Sequence, residues 1–118
     1  MGPNSIGMIN PQAGLATSIV GLEQIRPGGV SLIGQSGVFS SGWGRWIADV
    51  KPFGIAKVAC IGNKGDVNES DLLEYLTDDP DTTTVGMYLE GIVDGSRFVK
   101  AARRASARKP VVVVKSGR

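Results

Sequence analysis

The stretch Gly29-Val30-Ser31-Leu32-Ile33-Gly34-Gln35-Ser36-Gly37-Val38-Phe39-Ser40-Ser41 holds the residue types best suited to grip an anion. A short apolar run stops at Gly34. A polar, glycine-flanked turn follows, and the residues after it can become helix. A strand-to-helix turn of this kind leaves N–H groups without partners at a helix N-terminus, beside small hydroxyl side chains. Such a corner attracts phosphate or carboxylate. The chain contains no histidine. Whatever this corner binds, no imidazole of the chain itself can act as base, nucleophile or ligand.

The elements that position this corner alternate regularly. Residues 30–34 read as a buried strand. Residues 38–50 read as helix, with Phe39, Trp43, Trp46, Ile47 and Val50 near helical spacing. Residues 56–61 form a second strand closed by Gly62. Residues 69–78 hold a second helix, with Leu72, Leu73 and Leu76 on one face, Asn68 or Ser70 as its cap and Asp79-Pro80 as its stop. Residues 84–89 are a third strand. Asp94 caps a third helix, in which Phe98, Ala101, Ala102 and Ala105 repeat at i, i+3, i+4 and i+7. Pro110 ends it, and Val111 to Val114 form a fourth strand that reads as apolar on both faces.

Near-continuous apolar strands separated by helices predict an α/β fold, a doubly wound parallel sheet in three αβα layers. Right-handed crossovers bring the C-terminal ends of the strands to one edge, where such folds bind ligands. The loops at that edge are Gln35-Ser36-Gly37, Gly62-Asn63-Lys64-Gly65-Asp66, Glu90-Gly91-Ile92 and Lys115-Ser116-Gly117. Residues 1–28 lack periodicity and read as a lead-in segment or interdomain joint. Residues 29–118 read as the flavodoxin-like domain.

Composition narrows the function classes. The net charge of +2 is too small to argue for nucleic acid. The basic face from Arg97 to Arg108 has no interleaved aromatics and reads as a solvated face. No apolar run approaches the ~20 residues of a membrane span. Cys60 is the single cysteine, set in an apolar run, so it reads as a core residue and a reducing cytoplasm is the default compartment. The 17 glycines are about twice the usual share of roughly 7%, which predicts many tight turns and close backbone approaches. Trp43 and Trp46 read as packing residues of the first helix. No metal-ligand pattern is present.

Several segments together resemble one family: Gly2-Pro3-Asn4-Ser5-Ile6-Gly7-Met8-Ile9-Asn10-Pro11, Gln35-Ser36-Gly37, Gly62-Asn63-Lys64-Gly65-Asp66-Val67-Asn68-Glu69, Asp71-Leu72-Leu73-Glu74-Tyr75-Leu76, Asp79-Pro80-Asp81-Thr82 and Tyr88-Leu89-Glu90-Gly91. In this order and spacing they resemble the NDP-forming acyl-CoA synthetases, with the succinyl-CoA synthetase alpha subunit as a more distant relative. The resemblance covers essentially the whole chain. Its specificity lies in the combination, not in any one piece. It implies the family's second, flavodoxin-like ligase domain, without the CoA-binding Rossmann domain that usually precedes the Gly-Pro-Asn motif. The family's phosphorylated histidine lies beyond the position of Arg118. Many relatives carry cysteine where Ser5 stands, a departure that touches the domain joint more than the chemistry.

The resemblance implies an ADP-forming acid–thiol ligase in the longer protein. A carboxylate and CoA exchange with an acyl phosphate, phosphate passes to a histidine, and the histidine passes it to ADP on an ATP-grasp domain or subunit. CoA, ATP or ADP and magnesium serve the full enzyme; none is bound by this domain alone, and the isolated chain is expected to be inactive. The resemblance assigns phosphate binding to Gln35, Ser36, Gly37 and Val38, and the orienting of the phosphohistidine to Glu90. Asn63, Lys64 and Gly65 form a candidate substrate or phosphate loop. The same loop also reads as a structural turn, with Asn and Asp capping and Lys64 solvated. Two other classes stay open: a non-catalytic module of the kind fused to protein lysine acetyltransferases, and a flavodoxin-like phosphate or cofactor binder.

Overall fold

The structure, a computed structural model, describes residues 1–18, 21–50 and 53–117. Its elements run β1 (Met8–Asn10), β2 (Leu15–Ala16), β3 (Pro27–Gly34), α1 (Gly37–Val50), β4 (Ile55–Cys60), α2 (Glu69–Asp78), β5 (Thr84–Leu89), α3 (Gly95–Ser106) and β6 (Val111–Lys115). The strands lie in the order β2-β1-β4-β3-β5-β6. β3 pairs in parallel with β4 and with β5, and β5 with β6, as the alternating pattern predicts. β1 runs antiparallel to both β2 and β4. The sheet is therefore mostly parallel, extended by two short strands drawn from residues 1–28. Segments of three and two residues are too short to show a period, which is why they read as irregular.

Helices cover both faces. Leu32 joins Ile9, Ile25, Ile55 and Ile47 of α1 in one cluster, while Ile33 joins Val85, Met87, Leu89 and the inner faces of α2 and α3 in the other. Adjacent residues of β3 thus face opposite layers, the period of two that a strand imposes. Ile33 is fully buried; burying a side chain of that size contributes about 1.5–3 kcal/mol. The side chains of Val38 and Phe39 lie outside the described residues. Ile47 is buried and Trp43 packs against the α1-side cluster, but Trp46 and Val50 are exposed. Trp46 makes an edge contact with Phe53 at 6.5 Å between ring centroids.

The helix caps follow from local chemistry. Asn68 Oδ1 accepts from Ser70 N at 2.8 Å and Asp71 N at 3.3 Å, and Asp71 Oδ2 accepts from Asn68 N at 2.9 Å, a reciprocal capping box. Asp94 Oδ1 accepts from Arg97 N at 3.0 Å at the start of α3. The basic face of α3 is exposed but not merely solvated. Arg97 reaches Asp71 and Glu74, both at 2.7 Å, while Arg104 and Arg108 share Asp78 at 2.6 and 2.5 Å. These pairs staple α3 to α2, and each contributes little by itself because it stands in water.

The fourth parallel strand departs from expectation. Val112, Val113 and Val114 are 60%, 39% and 47% exposed. β6 lies at the end of the sheet and pairs along one side only.

Three buried or capped carboxyls tie stability to pH. Burial alone raises the Glu69 carboxyl, but Lys64 and the Val93 N–H outweigh it and hold it below its usual value. The Asn68 N–H, with Arg97, lowers Asp71. Burial again opposes, and Lys57 with Thr82 overcomes it, at Asp79. A group with a lowered folded value adds stability that is complete above the unfolded carboxylate range of about 4 and drains away as pH falls through the folded value. The urea midpoint should therefore hold steady near neutrality and drop below about pH 4. A midpoint unchanged down to about pH 2.5 would contradict this linkage.

Candidate functional site

Chain order puts β4 on one side of β3 and β5 on the other, so the connections out of β3 and β5 diverge at their C-terminal ends. A crevice opens at such a switch point. Here it is a cleft of about 360 Å³ lined by Asn4, Ile6, Gln35, Ser36, Gly37, Gly62, Asn63 and Glu90. Ser36 and Gly37 lead into α1, whose first-turn N–H groups have no partner within the helix. Glu90 follows the last residue of β5 and is exposed. The cleft therefore carries amide donors at one wall and a carboxylate at another.

Gln35 joins those two walls. Its backbone N donates to Tyr88 O at 2.9 Å. Its side-chain Oε1 accepts from Glu90 N at 2.9 Å and Gly91 N at 3.1 Å. The carbonyl end of this side chain is thus committed to the turn after β5.

The third wall comes from the N-terminal arm. Gly2 N donates to Ile61 O at 3.2 Å, Asn63 N to Pro3 O at 2.9 Å and Gly65 N to Gly2 O at 2.7 Å. Ser5 Oγ donates to Cys60 O at 2.6 Å and accepts from Gly7 N at 3.0 Å. Ile6 reaches the start of α1: a Cβ on Gly37 would lie 3.1 Å from Ile6 Cγ2. Gly62 sits at φ +58°, and a Cβ there would lie 2.4 Å from Pro3 O. That position needs glycine both for its left-handed backbone and for the close approach of the arm.

The structure brings Gln35, Ser36, Gly37, Asn63 and Glu90 together around one cleft. Val38 lies in the first turn of α1. Gly65 is turned to the arm. Lys64 does not line the cleft. Its ammonium is buried, donating to Gly91 O at 2.6 Å and lying 2.7 Å from Glu69 Oε2. The reading of Lys64 as a solvated loop side chain is therefore corrected: the two turns close over it. Asn4 and Ile6 are further members of the cleft that residue patterns alone did not single out. Their signal was the segment that opens with Gly-Pro-Asn, whose place in the fold no local period reveals.

Residues 27–118 match the succinyl-CoA ligase like flavodoxin domain. The chain belongs to that family. It is 43% identical to the ADP-forming acetate–CoA ligase of Methanocaldococcus jannaschii, over all of this chain and 16% of that protein. It is 36% identical to the alpha subunit of ADP-forming acetate–CoA ligase I from Pyrococcus furiosus, over all of this chain and 25% of the subunit. Among solved structures it is similar to the dinucleotide-forming acetyl-coenzyme A synthetase 1 of Ca. Korarchaeum cryptofilum, in complex with phosphate and ADP. The TM-score is 0.92 at 34% identity, covering 99% of this chain and 25% of that one. This succinyl-CoA-ligase-like flavodoxin domain thus spans a quarter or less of the curated relatives just described. No described helix is long and apolar enough to cross a membrane.

Proposed function

We propose that this chain is the phosphate-handling domain of an NDP-forming acyl-CoA synthetase, a larger enzyme that joins a carboxylic acid to CoA at the expense of ATP. The observation that carries the reading is the two-sided cleft. A phosphohistidine presents a ring N–H at one end and a phosphoryl group at the other. Glu90 suits the first, and the first turn of α1 suits the second. The names of the relatives, ADP-forming acetate–CoA ligases, support the same chemistry.

In this reading the histidine enters from outside residues 1–118. Phosphorus moves from ATP to the imidazole, then to the substrate carboxylate as an acyl phosphate, and the CoA thiol displaces inorganic phosphate. The residues of this chain hold and orient rather than bond covalently. Donors fixed around the equatorial oxygens favour the transition state because they need no reorganisation as charge moves. Glu90 accepts the imidazole N–H, fixes the tautomer and favours the charged ring. A CoA-binding Rossmann domain and an ATP-grasp domain or subunit would supply the thiol and the nucleotide. Magnesium belongs with the nucleotide. The cleft offers a single carboxylate, and no cluster of three metal-ligating side chains stands among the described residues. The compartment consistent with this metabolism is the cytoplasm.

Inorganic phosphate titrated into the chain should shift the amide resonances of Gln35 to Val38 and Asn63 before those of β6. Because Glu90 lines the same cleft, free phosphate binds against its charge, and Glu90→Gln should tighten it. Shifts confined to other loops at millimolar phosphate would place the anion site elsewhere.

A further inference from the structure

The Glu90 carboxylate stands on a turn, yet the backbone of that turn is gripped at four points by three side chains from elsewhere. Gln35 Oε1 accepts from the N–H groups of Glu90 and Gly91. Lys64 Nζ donates to Gly91 O at 2.6 Å. Glu69 Oε1 accepts from Val93 N at 2.8 Å, while its Oε2 lies 2.7 Å from Lys64 Nζ. Lys64 and Glu69 have side-chain exposures of 5% and 0%. A buried charge pair is costly to assemble, and stability alone is weak grounds for its presence. Apolar side chains would fill the same space. They would not hold a carbonyl and an N–H two residues apart on one turn.

We propose that the buried Lys64–Glu69 pair is a positioning device. With Gln35 it fixes residues 90–93 so that the Glu90 carboxylate is already aimed when a phosphohistidine arrives. The pair acts on the chemistry only through Glu90, and to that extent the inference rests on the phosphohistidine reading. Its placement explains why it sits where it does. Lys64 belongs to the turn after β4 and is held at φ +57°, and Glu69 opens α2. The clamp therefore references the turn after β5 to a strand end and a helix end, the rigid parts of the fold. An orienting carboxylate displaced by about 1 Å loses much of its effect, so an ordered turn has catalytic value.

The test uses Lys64→Met/Glu69→Gln. Removing one partner alone leaves an uncompensated buried charge and invites unfolding. The double change is neutral, near in volume, and retains an acceptor for Val93. Hydrogen exchange followed by NMR on this chain is the first measurement. The amide of Gly91, whose carbonyl loses its donor, and those of Glu90 and Val93 should lose protection by about tenfold or more, while amides inside β3 and β5 keep theirs. The second measurement is phosphoenzyme formation from labelled ATP in the longer enzyme that carries this chain. Its maximal rate should fall about 10- to 100-fold with the KM for ATP unchanged, because the nucleotide is held elsewhere. Lys64→Arg, which keeps charge and donors, should recover part of the rate.

Unchanged exchange at residues 90–93 overturns the clamp, whatever Glu90 does. A loosened turn with a full phosphorylation rate overturns its catalytic role. If Glu90→Gln also leaves phosphorylation intact, the phosphohistidine reading fails as well. Loss of protection in that case still reports the clamp itself, so the two failures are told apart.

Discussion

Glu90→Gln in the longer enzyme proposed above should lower phosphoenzyme formation from labelled ATP by roughly 10²- to 10⁴-fold, with folding intact. Glu90 follows β5 directly and lines the switch-point cleft together with Gln35, Ser36 and Gly37. On the proposed reading, a carboxylate there would accept from an imidazole N–H, hold the tautomer that turns the other nitrogen to phosphorus, and stabilise the ring when it is charged. The amide of glutamine has nearly the same shape. It carries no charge, and it can present an NH₂ where an acceptor is required. In this chain alone the substitution should shift unfolding by less than about 0.5 kcal/mol, the usual range for an exposed residue away from buried networks. The pairing of a large kinetic effect with a small stability effect is diagnostic. Equal phosphoenzyme rates and yields in both forms would reduce Glu90 to an edge residue.

Gly62→Ala should be strongly destabilising for a single added methyl group. The alanine Cβ would meet Pro3 O at 2.4 Å and Asn4 O at 2.5 Å, contacts that backbone must move to relieve. The φ of +58° adds its own penalty of about 1–2 kcal/mol for a residue with a Cβ. Together the strain and the displaced arm should cost about 2–4 kcal/mol. For a domain of this size each kcal/mol is worth about 4 °C in Tm. The arm would lift, and the hydrogen bonds from Asn63 N to Pro3 O and from Gly65 N to Gly2 O would go with it. Phosphate-induced shifts at Gln35 to Val38 should then shrink, because Asn4 and Ile6 no longer close the cleft. A calorimetric Tm within about 2 °C of the parent would mean that the arm is not held in solution as it is here.

The βα units were legible because their signals are local. Apolar runs of five or six residues, capping side chains at Asn68 and Asp94, and Pro110 after α3 each act within one turn of their own position. The strand-to-helix turn at Gln35 was legible for the same reason. Other features depend on distant partners and leave no local trace. Ile9 is buried in β1, yet its strand is too short to show a period. Lys64 stands in a polar, glycine-bearing loop, where a lysine reads as solvated, and Glu69 opens α2, where a glutamate beside an N-cap is ordinarily accounted for by the helix dipole. Their burial follows only from the turn after β5 closing over them. Glu90 itself drew attention through resemblance, since one carboxylate after one strand carries no pattern. At β6 the parallel strand was legible from its run of valines, but composition carries no signal for where in the sheet that strand would lie.

That margin governs how the chain behaves in company. Successive valines bare on both faces, with backbone groups unpaired along the outer side, form the kind of template on which cross-β stacking begins. No proline interrupts the segment itself; Pro110 with Lys109 before it and Lys115 after it are the gatekeepers that flank it. A net charge of +2 gives only feeble repulsion between copies. In a preparation of residues 1–118 by themselves, aggregation should therefore rise with concentration and ionic strength, with β6 as the seam along which copies first adhere.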